Sequence, residues 1–130
     1  MNQQLAMITL VVDDYDPAIE FFTQKLNFQL IEDTILSDVK RWVVVSPAGS
    51  FCKILLAKAA NEAQSKSIGN QAGGRVFLFL HTDDIMRDLE NLKRNEVKIV
   101  RGPTHEIYGT VAVFEDLYGN LWDLIQPVRK

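Results

Sequence analysis

The sequence predicts an α+β fold made of two βαβββ modules with curved, mostly antiparallel sheets around a shared cup. Three observations lead there. The chain repeats itself at a spacing of 70 residues, with Asp13-Asp14 recurring as Asp83-Asp84 and Gly49 as Gly119. Each Asp pair ends an apolar run and opens a stretch of helical periodicity. Each glycine lies in a turn before a final apolar run. The first module spans residues 1–58, a linker or covering loop 59–74, and the second module 75–130, all within one structural domain.

The elements follow in order. Leu5 to Val12 is apolar apart from Thr9 and reads as a strand buried on both faces. Asp16-Pro17 marks a helix start, since the carboxylate caps free N–H groups and proline suits a first turn. Ala18, Ile19, Phe22 and Leu26 keep helical spacing, and Asn27 tolerates the left-handed conformation that ends a helix. Phe28 to Ile35, Arg41 to Ser46 and Phe51 to Ala57 read as strands, the last two joined by the turn Pro47 to Ser50. Ala59 to Gly74 is small and polar, as a linker is. The second half restarts with a strand over Val76 to Thr82. Asp83 is expected to cap a helix with an inner face of Ile85, Leu89 and Leu92, ended by Asn95. Val97 to Arg101 is a strand broken by Gly102-Pro103, and Thr110 to Glu115 and Leu121 to Gln126 are the last two. Asp116, Gly119 and Asn120 serve the turn between them, and Trp122 belongs to the core.

Composition narrows the function. A net charge of −3 without a Lys/Arg cluster gives no footprint for nucleic acid. The longest apolar run, Met7 to Val12, is too short to cross a bilayer as a helix, so no membrane partner is expected. Met1-Asn2-Gln3-Gln4 lacks the basic start and apolar core of a secretion signal. The single cysteine, Cys52, excludes an internal disulfide and reads as a strand residue; a cytoplasmic location is expected.

The segments Met7 to Asp14, Ala18 to Phe22 and Leu26-Asn27-Phe28 resemble the opening of the vicinal-oxygen-chelate superfamily of glyoxalases, extradiol dioxygenases and bleomycin- and fosfomycin-resistance proteins. Val113 to Leu124 is similar to that family's closing strand-turn-strand, and the likeness covers nearly the whole chain. Paired βαβββ modules are what the resemblance implies. In metal-dependent members the ligands come from the first and last strand of each module. The corresponding positions here are Met7, Lys53, Phe77 and Asp123, with Leu55 a less consistent alternative to Lys53. Divalent metals take imidazole, carboxylate or thiolate ligands at such sites, and only Asp123 qualifies. No metal and no other cofactor is therefore expected. A site rebuilt from His81, Asp123 and a second chain is the alternative.

Strand alternation places Met7, Thr9 and Val11 on one face, and Phe77, Phe79 and His81 on the matching face of the second module. Lys53 and Leu55 match Asp123 and Ile125. The expected ligand-contacting set is Met7, Thr9, Trp42, Lys53, Phe77, Phe79, His81, Tyr108 and Asp123, an apolar cup with few polar groups. The same residues filling a closed core is the competing arrangement. Lys53 and Asp123 either form a partly buried ion pair in place of a metal, or Lys53 reaches solvent. His81 is either a base at the rim or a histidine bonded to a helix-start carboxylate. Thr104 to Gly109 resembles the family's loop over the pocket mouth, where Glu106 and Tyr108 would meet a ligand.

Three functions follow, the third of them a subunit of a larger assembly with no ligand, which a sealed core would favour. The first is a metal-independent binder of a small apolar or aromatic metabolite or drug, which the resemblance implies to be a homodimer. The second is a lyase, isomerase or dioxygenase-type enzyme using Asp123 with Lys53, His81 or Glu106, or a bound metal.

Overall fold

The computed structural model describes residues 1–128, so the last two positions of the second module lie outside the described residues. The chain divides between Ile68 and Gly69 into two units.

In the first unit, β1 (Met7–Val12) is followed by α1 (Tyr15–Glu20), β2 (Gln29–Ile35), β3 (Arg41–Ser46), β4 (Lys53–Lys58) and α2 (Glu62–Ser67). The sheet has the order β1-β4-β3-β2, with β1 parallel to β4 and the other pairs antiparallel. β1 buries Leu10 and Val12 but exposes Thr9, so it is covered on one face and not on both as its apolar run suggested. Ala18, Phe21 and Phe22 are buried, and their helical spacing puts them on one side of the helix. Phe22 is fully buried, with ring centroids 5.3 Å from Phe21 and 5.8 Å from Phe28.

The helix start lies earlier than expected. Asp14 caps α1 by accepting from Tyr15 N at 2.8 Å, which leaves Asp16 to pair with Arg41. After Glu20 the helix widens into a π-helical turn over Phe21–Lys25, and Asn27, at φ 59°, ends it as its residue type predicts. The supposed linker contains α2. Asn61 caps it through Gln64 N at 2.9 Å, while Gln64 Oε1 accepts from Ala60 N at 2.7 Å. This reciprocal arrangement is close to a capping box and was readable in Asn61-x-x-Gln64.

The second unit contains β5 (Val76–His81), α3 (Ile85–Arg94), β6 (Ile99–Glu106), β7 (Gly109–Glu115) and β8 (Leu121–Pro127). Its sheet runs β5-β8-β7-β6 with β5 parallel to β8, so both units are βαβββ and neither sheet closes. Ile85, Leu89 and Leu92 are the buried face of α3. The cap is Asp84, which accepts from Arg87 N at 3.1 Å; the expected cap, Asp83, instead receives the Arg87 guanidinium at 2.8 Å. Asn95 closes the helix, but the left-handed residue is Glu96 at φ 59°.

Gly102-Pro103 does not break β6. The strand runs through it with register shifts against β7. β6 is an edge strand, where a proline without an N–H and a bulge are tolerated. The turn between β7 and β8 is organised by Asp116, only 6% exposed. It accepts from Tyr118 N at 2.9 Å, Asn120 N at 3.0 Å, Asn120 Nδ2 at 3.0 Å and Trp122 Nε1 at 3.1 Å. Gly119, at φ 92°, supplies the left-handed step, and Trp122 stacks on Phe114 in the core.

Candidate functional site

Strand register decides which of the expected residues are neighbours. In the first unit Met7 lies opposite Lys53 and Thr9 opposite Leu55. In the second, Asp123 lies opposite Phe79 and not Phe77, and the β5–β8 register shifts by one residue between Val76 and Leu78. The constant spacing along the chain therefore does not carry through to cross-strand position.

Lys53 donates to the carbonyl of Phe51 at 3.2 Å and its ammonium lies 5.6 Å from the Phe51 ring centroid. Asp123 has Val113 on its other side, and burial pushes its carboxyl above the usual range, with Arg101 pulling weakly the other way. The two groups stand in different units, each with its own surroundings. Phe79 is 64% exposed. His81 is exposed opposite Ile125, and the carboxylates at the α3 start are met by other groups: Asp88 by Thr82 and Arg87, Asp83 by Arg87. Glu106 and Tyr108 belong to the tight β6–β7 connection and not to a long loop. Glu106 lies opposite Gly109, and the Tyr108 carbonyl accepts from Val128 N at 3.1 Å.

Of the residues at the family's ligand positions, Met7, Phe77 and Lys53 offer no donor suited to a hard divalent ion, and Asp123 offers one carboxylate. The set does not fit a metal centre. Among the described residues no three His, Cys, Asp or Glu side chains gather in a metal-holding group, and no helix is long and apolar enough to cross a membrane.

A cavity forms elsewhere, wholly within the first unit. β3 and β4 are paired only at Val43–Leu56, Val44–Leu55 and Val45–Ile54. Past Val43, Trp42 and Arg41 keep their pairing with β2, opposite Thr34 and Ile35, but not with β4. At this end lies a cavity of about 580 Å³, lined among others by Trp42, Leu55, Ala57, Tyr15, Arg41 and Gln64. A second hollow of about 390 Å³ shares Tyr15, Arg41 and Lys58 with it.

Arg41 fixes this end of the sheet. Its Nη1 meets Asp16 at 2.7 Å, its Nη2 and Nε meet Asp33 at 2.6 and 3.0 Å, and its guanidinium lies 5.2 Å from the Tyr15 ring centroid. The bonds to Asp33, then Asp16, hold the guanidinium more firmly protonated than usual. Its backbone N–H donates to the Tyr15 hydroxyl at 3.2 Å. One residue thus joins β2, β3 and the start of α1.

Trp42 is the expected ligand contact that lines this cavity, and Thr9 stands beside the lining residue Leu55. Tyr15, Arg41 and Gln64 were not singled out from sequence. Tyr15 and Arg41 are 26 residues apart, and no local pattern reports such a contact.

The comparisons agree with this architecture. A family model described as the Glyoxalase/Bleomycin resistance protein/Dioxygenase superfamily matches residues 4–124. A protein of Shewanella frigidimarina (strain NCIMB 400) is 59% identical over 128 residues, covering 97% of this chain and 95% of that protein. The crystal structure of UcmS2 is 29% identical with a TM-score of 0.83, covering 96% of this chain and 98% of the other. TnmS3, an antibiotic binding protein from Streptomyces sp. CB03234, is 26% identical with a TM-score of 0.80 and 98% coverage of both chains. The chain described here belongs to the glyoxalase/bleomycin resistance protein/dioxygenase superfamily.

Proposed function

We propose that this protein binds a small, apolar or aromatic metabolite or drug, without a metal and as a homodimer. The observation that carries this reading is the cavity of about 580 Å³ with Trp42, Leu55 and Ala57 on its wall, beside the polar side chains of Tyr15, Lys40, Arg41, Lys58 and Gln64. The likeness to TnmS3, an antibiotic binding protein, supports it. So does the ligand chemistry of Met7, Lys53 and Phe77, which offers nothing to a divalent ion. Met7, Thr9, Lys53, Phe77, Phe79, His81, Tyr108 and Asp123 remain proposed contacts of a cup. The homodimer rests on resemblance to resistance proteins that hold ligands between chains.

The test is a thermal-shift screen against neutral fused-ring aromatics, read together with tryptophan fluorescence. Binders should raise Tm by mass action, and Trp42→Ala should lower their affinity at least about tenfold. No stabilisation by any aromatic compound would reject the reading. A stoichiometric transition metal in protein purified without chelator would reject its metal-free part, and a monomer in sedimentation its dimeric part.

One observation favours an enzyme instead. Burial raises the Asp123 carboxyl above its ordinary value, which makes it a better proton acceptor, with Lys53, His81 and Glu106 as the partners proposed for it. Turnover lost in Asp123→Asn while ligand binding persists would establish that alternative.

A further inference from the structure

The polar groups around the first unit's cavity have one sense. Three cations, Lys40, Arg41 and Lys58, contribute to its lining, and no carboxylate does. Of the acids nearby, Asp14 caps α1, Asp16 and Asp33 hold Arg41, and Asp38 lies with Asp14 on the adjoining hollow that shares Lys40, Arg41 and Lys58. Lys58 forms an ion pair with Asp14 at 3.8 Å, longer than a hydrogen bond. Tyr15 is 5% exposed; its hydroxyl oxygen accepts from Arg41 N, and its hydroxyl hydrogen has no acceptor among the described residues. Gln64 Oε1 is taken by Ala60 N, so its Nε2 is left to donate. The side chains available to a ligand are donors beside an apolar, aromatic wall. A ligand oxygen in the cavity would give the Tyr15 hydroxyl hydrogen an acceptor.

We infer that this cavity selects aromatic ligands whose polar end is a hydrogen-bond acceptor, with a carboxylate preferred. The ring lies along Trp42 and Leu55, and the oxygens meet Tyr15 Oη, Gln64 Nε2 and the Lys58 ammonium. The inference rests on the binding reading above and names the ligand class. A carboxylate takes up donors in charge-assisted bonds, whereas an ammonium would bring donors to donors.

Calorimetry with three probes tests it: 2-naphthoate, naphthalene and 2-naphthylmethylammonium. The naphthoate should bind about tenfold or more tightly than the ammonium, and its advantage should shrink with added salt. Gln64→Glu keeps an acceptor for Ala60 N but replaces the free donor with an acceptor. Gln64 is exposed, so the fold should survive the change. The variant should weaken naphthoate about tenfold and strengthen the ammonium, leaving naphthalene unchanged. Lys58→Met should weaken naphthoate alone. Equal binding of all three probes, or a Gln64→Glu protein with unchanged preference, overturns the inference and leaves aromatic binding standing. Failure of all three to bind overturns both.

Discussion

The two units share a topology but treat one hairpin differently. In the second, β7 and β8 pair over seven rungs, from Glu115–Leu121 to Gly109–Pro127, and the Val128 N to Tyr108 O bond prolongs the contact. In the first, β3 and β4 pair over three. Val43–Leu56 matches Thr110–Gln126 by register on the last strand, so Gly109 stands where the first unit has Trp42. Gly109 sits at φ 153°, and a Cβ there would run into Gln126 O and approach Pro127 Cα to 3.0 Å. Close approach of the strands needs the missing side chain. Trp42 is a bulky residue at the matching rung, and the cavity lies at that end of the first sheet. A single rung thus separates a closed hairpin from one with room for a ligand.

The largest expected effect comes from breaking the closed hairpin at its turn. Asp116→Ala leaves buried N–H groups of Asn120 and Trp122 without their acceptor and should cost about 3 kcal/mol or more in urea unfolding. A loss below about 1 kcal/mol would mean the turn does not depend on that carboxylate. Gly109→Ala comes next, at about 2 kcal/mol, with faster amide exchange at Gln126 and Val128. Unchanged exchange there would show that the glycine is not what lets the strands close.

Arg41→Met probes the open hairpin. The residue is about a quarter exposed, so solvent screening leaves about 1 kcal/mol from its bonds to Asp33 and Asp16. The same change should also alter ligand affinity, since Tyr15 loses its neighbour. An altered stability with wild-type affinity would separate the Arg41 cluster from the cavity.

The smallest effect is a pH dependence. Burial raises the folded-state pKa of Asp123 above its unfolded value, so the folded form binds that proton more tightly. Its contribution to stability is fully present below the unfolded pKa and is lost as pH rises through the folded pKa. Asp123→Asn should therefore be more stable than wild type at neutral pH, with the gain vanishing on acidification through the carboxylate range. A gain that grew at low pH would reverse the assigned cause.

The chain itself determined the two βαβββ modules. Period-two and helical patterns, Asn27 after its helix and the Asp116 to Asn120 turn each report local backbone preference, which neighbouring residues encode. The caps differ from the expected residues by one or two positions: Asp14 and Asp84 act in place of Asp16 and Asp83. Several acidic residues adjoin each start, and only the backbone angles choose among them. Tertiary structure alone decided that Phe79 faces Asp123, that Arg41 ties Tyr15 to Asp16 and Asp33, and that the first hairpin stays open beside Trp42. Register and contacts between distant residues depend on how side chains from separate strands fit together. No window of adjacent residues contains that information.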